Sequence, residues 1–267
     1  MLGAISSLFV QIGEVMRSAG LATVVRVGEG SELQPGDVVQ CMPEKAARKL
    51  EIPPGGQLLD LLGPLGPSGG VTAYFGLLDV AKIKAGETLV VSAAAGSVGS
   101  VTCQIGKIYG AKVIGIAGSD DKCRWLKEGL KIDAALNYKS PTFQDEFNDA
   151  VGYLDVFFDN VGGEILDFAL TRLNKGARIV LCVPYPSTTH QSHRVEGFVI
   201  ADYADSFPEA FTNPGKWISE GRIIRKFHVA EKLEKAPESL PLLFLWRKHR
   251  KIGGSRFRSW CGPLDKR

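Results

Sequence analysis

From Ala85 onward, short apolar runs alternate with amphipathic stretches along the chain. Glu87-Thr-Leu-Val-Val-Ser92 is a β-branched run that predicts a strand. A glycine-rich turn follows, then a helical pattern over 98–109. Lys112-Val-Ile-Gly-Ile-Ala117 predicts a second strand and 120–128 a second helix. Ala134-Ala-Leu-Asn137 predicts a third strand, with a helix over 142–150. Leu154-Asp-Val-Phe-Phe-Asp159 predicts a fourth strand, 164–173 a helix, Ala177-Arg-Ile-Val-Leu-Cys-Val183 a fifth strand and 195–200 a sixth. These strands are almost wholly apolar instead of alternating, as strands buried on both faces are. The expected class is therefore α/β, a parallel sheet covered by helices on both sides.

The texture before Ala85 differs. Leu21-Ala-Thr-Val-Val-Arg-Val27 predicts a strand, and Gln34-Pro-Gly-Asp-Val-Val39 a turn feeding another. Pro53-Pro-Gly-Gly and Gly63-Pro-Leu-Gly-Pro-Ser-Gly-Gly70 read as loops. A small β-rich unit thus joins the α/β domain near residue 70. After Ile223 the pattern is irregular, and 246–267 is basic with little periodicity.

At 267 residues and 28.8 kDa the chain is long for one domain and short for two. A net charge of +3 gives no basis for a nucleic-acid or acidic-membrane partner, which would call for clustered positive charge. The 45% hydrophobic and 23% charged content excludes global disorder. Five cysteines, at 41, 103, 123, 182 and 261, form no CxxC pair and no Cys/His cluster. Neither a disulfide framework nor a structural zinc is expected, and the set suits a reducing, cytoplasmic compartment. No apolar stretch reaches the ~20 residues of a membrane span, and residues 1–10 read poorly as a signal peptide.

The strand at 87–92 runs into Ala93-Ala-Ala-Gly-Ser-Val-Gly-Ser100, which fits A-x-G-x-x-G at Ala94, Gly96 and Gly99. Small residues there make a tight turn and let backbone approach a pyrophosphate, while the next helix aims its free N–H groups at the phosphates. Placed between a strand and a helix, with further βα units behind it, this turn predicts a doubly wound Rossmann sheet with a dinucleotide on Gly96, Ser97, Val98 and Gly99. A close-packed βα turn serving another ligand is the competing reading. An NAD enzyme would carry an acidic residue about 20 residues further on, at the end of the second strand. Gly118-Ser119 stands there instead, followed by Asp120, Asp121 and Lys122. A small residue leaves room for a 2′-phosphate, Ser119 can donate to it and Lys122 can neutralise it, so NADP is favoured over NAD. Asp120 and Asp121 suit the first turn of a helix.

Five segments form an ordered set: Ala73-Tyr-Phe-Gly-Leu-Leu-Asp79, Val91-Ser-Ala-Ala-Ala-Gly-Ser-Val-Gly-Ser100, Ala117-Gly-Ser-Asp-Asp-Lys122, Asn137-Tyr-Lys139 and Phe158-Asp-Asn-Val-Gly-Gly-Glu164. Together they resemble the zinc-independent medium-chain dehydrogenase/reductases, in the prostaglandin reductase and alkenal double-bond reductase branch. The resemblance spans about 20–230. It implies a GroES-like β domain beside the Rossmann domain and reduction, by NADPH, of the C=C bond of α,β-unsaturated carbonyl compounds. It further implies that Lys122 meets the 2′-phosphate, Tyr138 lies along the adenosine end and Asn160 lines the nicotinamide side. The domain plan that follows is a partial GroES-like unit at 1–69, the NADP-binding domain at 70–222 and a return to the first unit at 223–267. A homodimer, small-molecule substrates and no metal are expected by the same analogy.

The chain departs from that pattern in places. The family's hydroxyl donor is a tyrosine just after the fifth strand. Alignment here puts Thr188 at its position, with Tyr185 three residues earlier as the candidate donor. Set against the family pattern, the opening GroES-like strands are expected to be absent, and the tail from Leu245 diverges. Back-translated with suitable degenerate codons and shifted by one base, that tail reads Ser-Gly-Glu-Asn-Ile-Gly-Lys-Leu-Val-Val, the family's ending, so a C-terminus altered by a frameshift or by mis-splicing is expected. Quinone reduction and a catalytically impaired NADPH-binding protein are the alternatives that these departures leave open.

Overall fold

The computed structural model describes residues 20–42, 45–182, 188–190, 193–229 and 233–239. It divides into two compact units, Met1–Phe227 and His228–Arg267. The first opens with a three-stranded antiparallel sheet in the order β1-β2-β3, from Gly20–Thr23 (β1), Val38–Met42 (β2) and Lys45–Lys49 (β3). The strand expected through Val27 stops at Thr23. Two backbone bonds hold Val24 against the turn, to Asp37 at 2.9 Å and from Gly36 at 2.7 Å, but Val25 is 89% exposed with nothing to pack on. The Asp37 carboxylate accepts from the Gln34 N–H at 2.8 Å and closes the turn before β2.

Residues 63–70, expected as loop, are partly helical. After a 3-10 turn at Leu58–Leu61, Pro67–Val71 begins a helical segment that continues through Thr72–Phe75 (α1) and Gly76–Val80. Pro67 fits the first turn of a helix, where its missing N–H costs nothing. At Gly70 a side-chain carbon would collide with the Pro64 carbonyl. Glycine therefore serves close packing here, and the sequence pattern alone reads as a turn.

The α/β part comprises β4 (Thr88–Val91), α2 (Ser97–Ile108), β5 (Lys112–Ala117), α3 (Asp120–Glu128), β6 (Ala134–Asn137) and α4 (Phe143–Val151). It continues with β7 (Leu154–Asp159), α5 (Gly163–Leu170), β8 (Leu173–Leu181), β9 (Thr188–His190), β10 (His193–Gly197) and, after a 3-10 turn, α6 (Phe207–Ser219). The sheet order is β6-β5-β4-β7-β8-β10-β9. Its first six strands are parallel, and β9 runs antiparallel on the edge beside β10. Numbered along the chain, the parallel strands read 3-2-1-4-5-6, the doubly wound dinucleotide-binding order.

Strand periodicity assigns the two faces. Leu89, Val91, Val113, Val156 and Phe158 point into a core shared with α2, α3, α6 and the 67–80 segment. Val90, Ile114, Ile116, Phe157 and Ile179 point into a second core with α4 and α5. Both faces are buried, which is why the strands read as continuous apolar runs. Two boundaries differ from expectation. Helix α5 stops at Leu170 because the chain reverses at Thr171–Arg172, where Thr171 Oγ1 donates to the Phe168 carbonyl at 2.7 Å, and β8 therefore begins at Leu173. Helix α6 carries Pro208, Pro214 and Gly215, which conceal its periodicity. In the second unit, a turn at Leu233–Lys235 leads into the short helix α7 at Ala236–Ser239.

At the amino ends of the central strands, Arg178 of β8 meets Glu87 in a two-pronged pair, with N–O distances of 2.8 and 2.5 Å, and also donates from Nε to the Ala81 carbonyl at 2.7 Å. Burial works against ionisation of Glu87. The hydrogen bonds from Arg178 and the Lys84 N–H, together with their charge, outweigh it and hold the carboxyl below its ordinary 4.5. A depressed carboxylate stabilises the fold above the unfolded-state value, and that contribution is lost as the pH falls through the folded value. Arg178→Ala should lower unfolding free energy by about 1.5–3 kcal/mol at neutral pH and shrink the acid-dependent loss, both read from denaturant midpoints.

Candidate functional site

Every parallel strand ends at the same edge of the sheet, so residues far apart in sequence converge there. Between β4 and α2 the chain makes a tight turn. Gly96 N–H bonds to the Ala93 carbonyl at 2.8 Å, Ala94 N–H to the Ile116 carbonyl of β5 at 2.9 Å, and Ala93 has φ +46°. Gly96 is the N-cap of α2, and no side chain caps the helix. Its first N–H groups, on Ser97, Val98 and Gly99, have no carbonyl one turn back to bond. Gly96 and Ser97 are exposed while Gly99 is buried against the turn. A side-chain carbon at Gly99 would fall on the Ala93 carbonyl and lie 2.9 Å from Ala94 Cα. The result is a small, positively polarised cradle that leaves backbone open to an anion.

One strand over, Ser119 follows β5 and caps α3, its hydroxyl accepting from the Lys122 N–H at 3.4 Å. Lys122 lies in the first turn of α3. Partial burial, and then the positive charge of Lys139, lower its pKa. Lys139 follows β6, with Nζ 5.6 Å from the Tyr138 ring centre. Tyr138 is half-buried, and its N–H bonds to the Ala117 carbonyl at 3.1 Å. The two acidic residues nearby are engaged elsewhere. Asp120 accepts from Asn137 Nδ2 at 2.7 Å, and Asp121 pairs with Arg124 at 3.1 Å. The ends of β5 and β6 thus bring two cations together, which favours an anion beside them. Next to them is a recess of ≈ 240 Å³ whose lining includes Tyr138, Phe143, Gln144, Ile165 and Phe168.

On the other side of the cradle, β7 ends in Asp159-Asn160-Val161-Gly162. Asn160 Nδ2 donates to the Ser92 carbonyl at 2.8 Å, and its N–H donates to Ser92 Oγ at 2.7 Å. Asp159 is fully buried, and Ser92 Oγ donates to it at 2.8 Å. Burial, and then the charge of Asp159, push the Cys182 thiol up to about 12. Strands β4 and β7 are neighbours whose connections leave in opposite directions, so this is the topological switch point where ligands of open α/β sheets bind.

Gly96, Ser97, Val98, Gly99, Ser119, Lys122, Tyr138 and Asn160 therefore all lie along one edge, on the four adjacent strands β6-β5-β4-β7. Tyr185 lies outside the described residues. Of the tyrosines on the helical segments, Tyr74 is buried and donates to Glu209 at 3.0 Å, and Tyr203 donates to Asp79 at 2.8 Å. Lys139, Ser92 and Asp159 lie inside the quoted motif segments, but the motifs give them no role. The signal for the last two is a polar residue closing an otherwise apolar strand. No cluster of three or more His, Cys, Asp or Glu side chains suited to a metal occurs among the described residues. None of their helices is long and apolar enough to cross a membrane.

The fold and the edge it builds define a doubly wound dinucleotide-binding architecture. A family model described as zinc-binding dehydrogenase matches residues 97–204. The YfmJ protein of Bacillus subtilis (strain 168), named as an NADP-dependent oxidoreductase, is 38% identical over 252 residues, covering 82% of this chain and 71% of that one. Prostaglandin reductase 1 of Bos taurus is 42% identical over 195 residues, covering 66% of this chain, which spans only 58% of that relative's length. Among solved structures, CurA of Vibrio vulnificus in complex with NADPH superimposes with a TM-score of 0.77 at 31% identity, covering 88% of this chain and 78% of that one. The chain belongs to the medium-chain dehydrogenase/reductase family, in the branch that includes prostaglandin reductase 1.

Proposed function

We propose that this chain binds NADPH and reduces the C=C bond of α,β-unsaturated carbonyl compounds. The observation that carries the cofactor half is the uncapped α2 N-terminus flanked by Ser119, Lys122 and Lys139. The cradle fits a pyrophosphate, because Gly96 leaves exposed backbone where a side chain would stand and Gly99 lets the turn close against α2. The 2′-phosphate lies with Ser119 and Lys122, Tyr138 runs along the adenosine, and the adjoining aromatic recess receives the base. Asn160 lines the nicotinamide half. The relatives' names support this reading: one carries NADP-dependent oxidoreductase, another prostaglandin reductase, and CurA was solved with NADPH.

When bound, NADPH would supply a hydride to the substrate's β-carbon, and solvent or a side chain would give the α-carbon the proton that completes the reduction. This chain's residues hold the phosphates and orient the ring side through Asn160. Tyr185 is the candidate donor whose hydroxyl would meet the negative charge that builds on the substrate oxygen. Residues 70–222 form the cofactor domain in this reading, with a partial GroES-like unit at 1–69 to which 223–267 returns, in a cytoplasmic homodimer. The test is NADPH oxidation at 340 nm, a wavelength set by the cofactor, with a simple enone. Turnover supports the reductase, tight NADPH binding without turnover supports a binding protein, and absence of binding refutes the cofactor assignment.

A further inference from the structure

Asp159 presents an unusual set of contacts. Its carboxylate is 0% exposed, and no ion pair among the described residues includes it. Every contact is one in which it accepts. Oδ1 takes Ser92 Oγ at 2.8 Å, Val161 N–H at 3.1 Å and Gly162 N–H at 3.0 Å, and Oδ2 takes Gly162 N–H at 2.9 Å. Two of these donors belong to the turn after β7. The third belongs to the end of β4, 67 residues earlier. A local turn former would need only the first two. The Ser92 bond is long-range, and Ser92 passes it on: its hydroxyl receives the Asn160 N–H at 2.7 Å, while its carbonyl holds Asn160 Nδ2 at 2.8 Å. Gly162, at φ +73°, adopts the left-handed backbone that lets its N–H reach both carboxylate oxygens.

The consequence concerns Asn160. With its amino group fixed on Ser92, the side-chain carbonyl is its remaining polar atom, on a residue left half-buried at the switch point. Two adjacent strands place the rest. The cations lie past β5, on one side of the cradle, so an extended dinucleotide crossing the edge brings its other nucleotide over β7 and β8. We infer that Asp159, acting through Ser92, is a positioning residue that fixes Asn160 for the nicotinamide half of the cofactor and has no part in holding the adenosine half. This rests on the NADPH reading above.

The test compares NADPH with 2′,5′-ADP, which carries the adenosine and its 2′-phosphate but no nicotinamide, by calorimetric titration of the full chain. Asp159→Asn puts an amino group against backbone N–H donors and is the severe variant. Ser92→Ala is the mild one, removing only the bridging hydroxyl. Ser92→Ala should raise the Kd of NADPH about tenfold, as loss of a hydrogen-bonded orientation implies. The Kd of 2′,5′-ADP should stay within about twofold, and thermal stability without ligand should change much less than the NADPH affinity. Asp159→Asn should give the same selectivity with a larger NADPH loss if it folds. Equal weakening of both ligands by a folded Ser92→Ala protein, or weakening of neither, overturns the inference. Wild-type protein that binds neither ligand overturns instead the NADPH reading itself.

Discussion

Lys122→Ala should raise the Kd of NADPH by tenfold or more while leaving that of NADH nearly unchanged. The two cofactors differ only in the 2′-phosphate, so the variant reads the one group Lys122 is proposed to meet. A hydrogen bond to a charged partner contributes about 1.5–3 kcal/mol, and each 1.4 kcal/mol is a factor of ten in affinity. Two features of the site sharpen the expectation. Burial, and then the charge of Lys139, lower the Lys122 pKa, so an arriving phosphate offsets a repulsion between the two cations as well as forming a bond. Asp121 is paired with Arg124, which offsets its charge, and Asp120 accepts from the Asn137 side chain. Lys139→Ala should act in the same direction but more weakly, because Lys139 is not in the helix turn that Ser119 caps. Added salt should weaken NADPH binding more steeply than NADH binding. Equal loss of both cofactors in Lys122→Ala would remove the proposed role, and fluorescence titration of the bound nicotinamide measures it directly.

The central α/β segment was legible because its local signals agree with its global packing. The bounds of β5, α3, β6 and β7 coincide with the apolar runs and the polar first turn at Asp120, since strands buried on both faces cannot be mistaken for amphipathic ones. The residues proposed for the cofactor followed from the same grammar: each sits one to eight positions past a strand end, where the parallel sheet gathers its strand ends. What escaped was governed by long-range contact. The helical segment from Pro67 reads as a turn because its glycines are there for close approach to Gly63 and Pro64. Helix α6 is masked by Pro208 in its first turn and by Pro214 and Gly215, which are buried within it. The bond between Ser92 and Asp159 joins residues 67 apart, and no spacing rule predicts it. Gln104 is similar: it bonds both backbone groups of Ile224, at 3.2 and 2.6 Å, and ties the cofactor helix to the segment after α6.

Gly99→Ala and Gly96→Ala should separate what the glycine turn does for stability from what it does for binding. In a helix interior, glycine to alanine ordinarily gains up to about 1 kcal/mol. At Gly99 the sign should reverse. The added carbon would meet the Ala93 carbonyl and carbon atom and Ala94 Cα, all of them backbone, so no flexible side chain can yield. Overpacking of this kind costs about 1–3 kcal/mol, and at about 2–4 °C per kcal/mol in a protein of this size Tm should fall by several degrees. NADPH affinity should fall with it, because the turn that shapes the cradle must shift. Gly96 differs on each count. Its φ is −83°, open to alanine, and the added carbon meets only the Ala93 carbonyl, at 3.1 Å. Gly96→Ala should therefore keep Tm within about 2 °C of the parent, a small surface-type effect. Yet Gly96 is exposed at the uncapped helix end, where a methyl group stands in the approach of the pyrophosphate. Its NADPH and 2′,5′-ADP affinities should drop together, since both ligands carry a phosphate on the 5′ side. A Gly96→Ala protein that binds both at parental strength would place the pyrophosphate elsewhere on this edge. A Gly99→Ala protein that gains stability would mean that the turn tolerates a side chain.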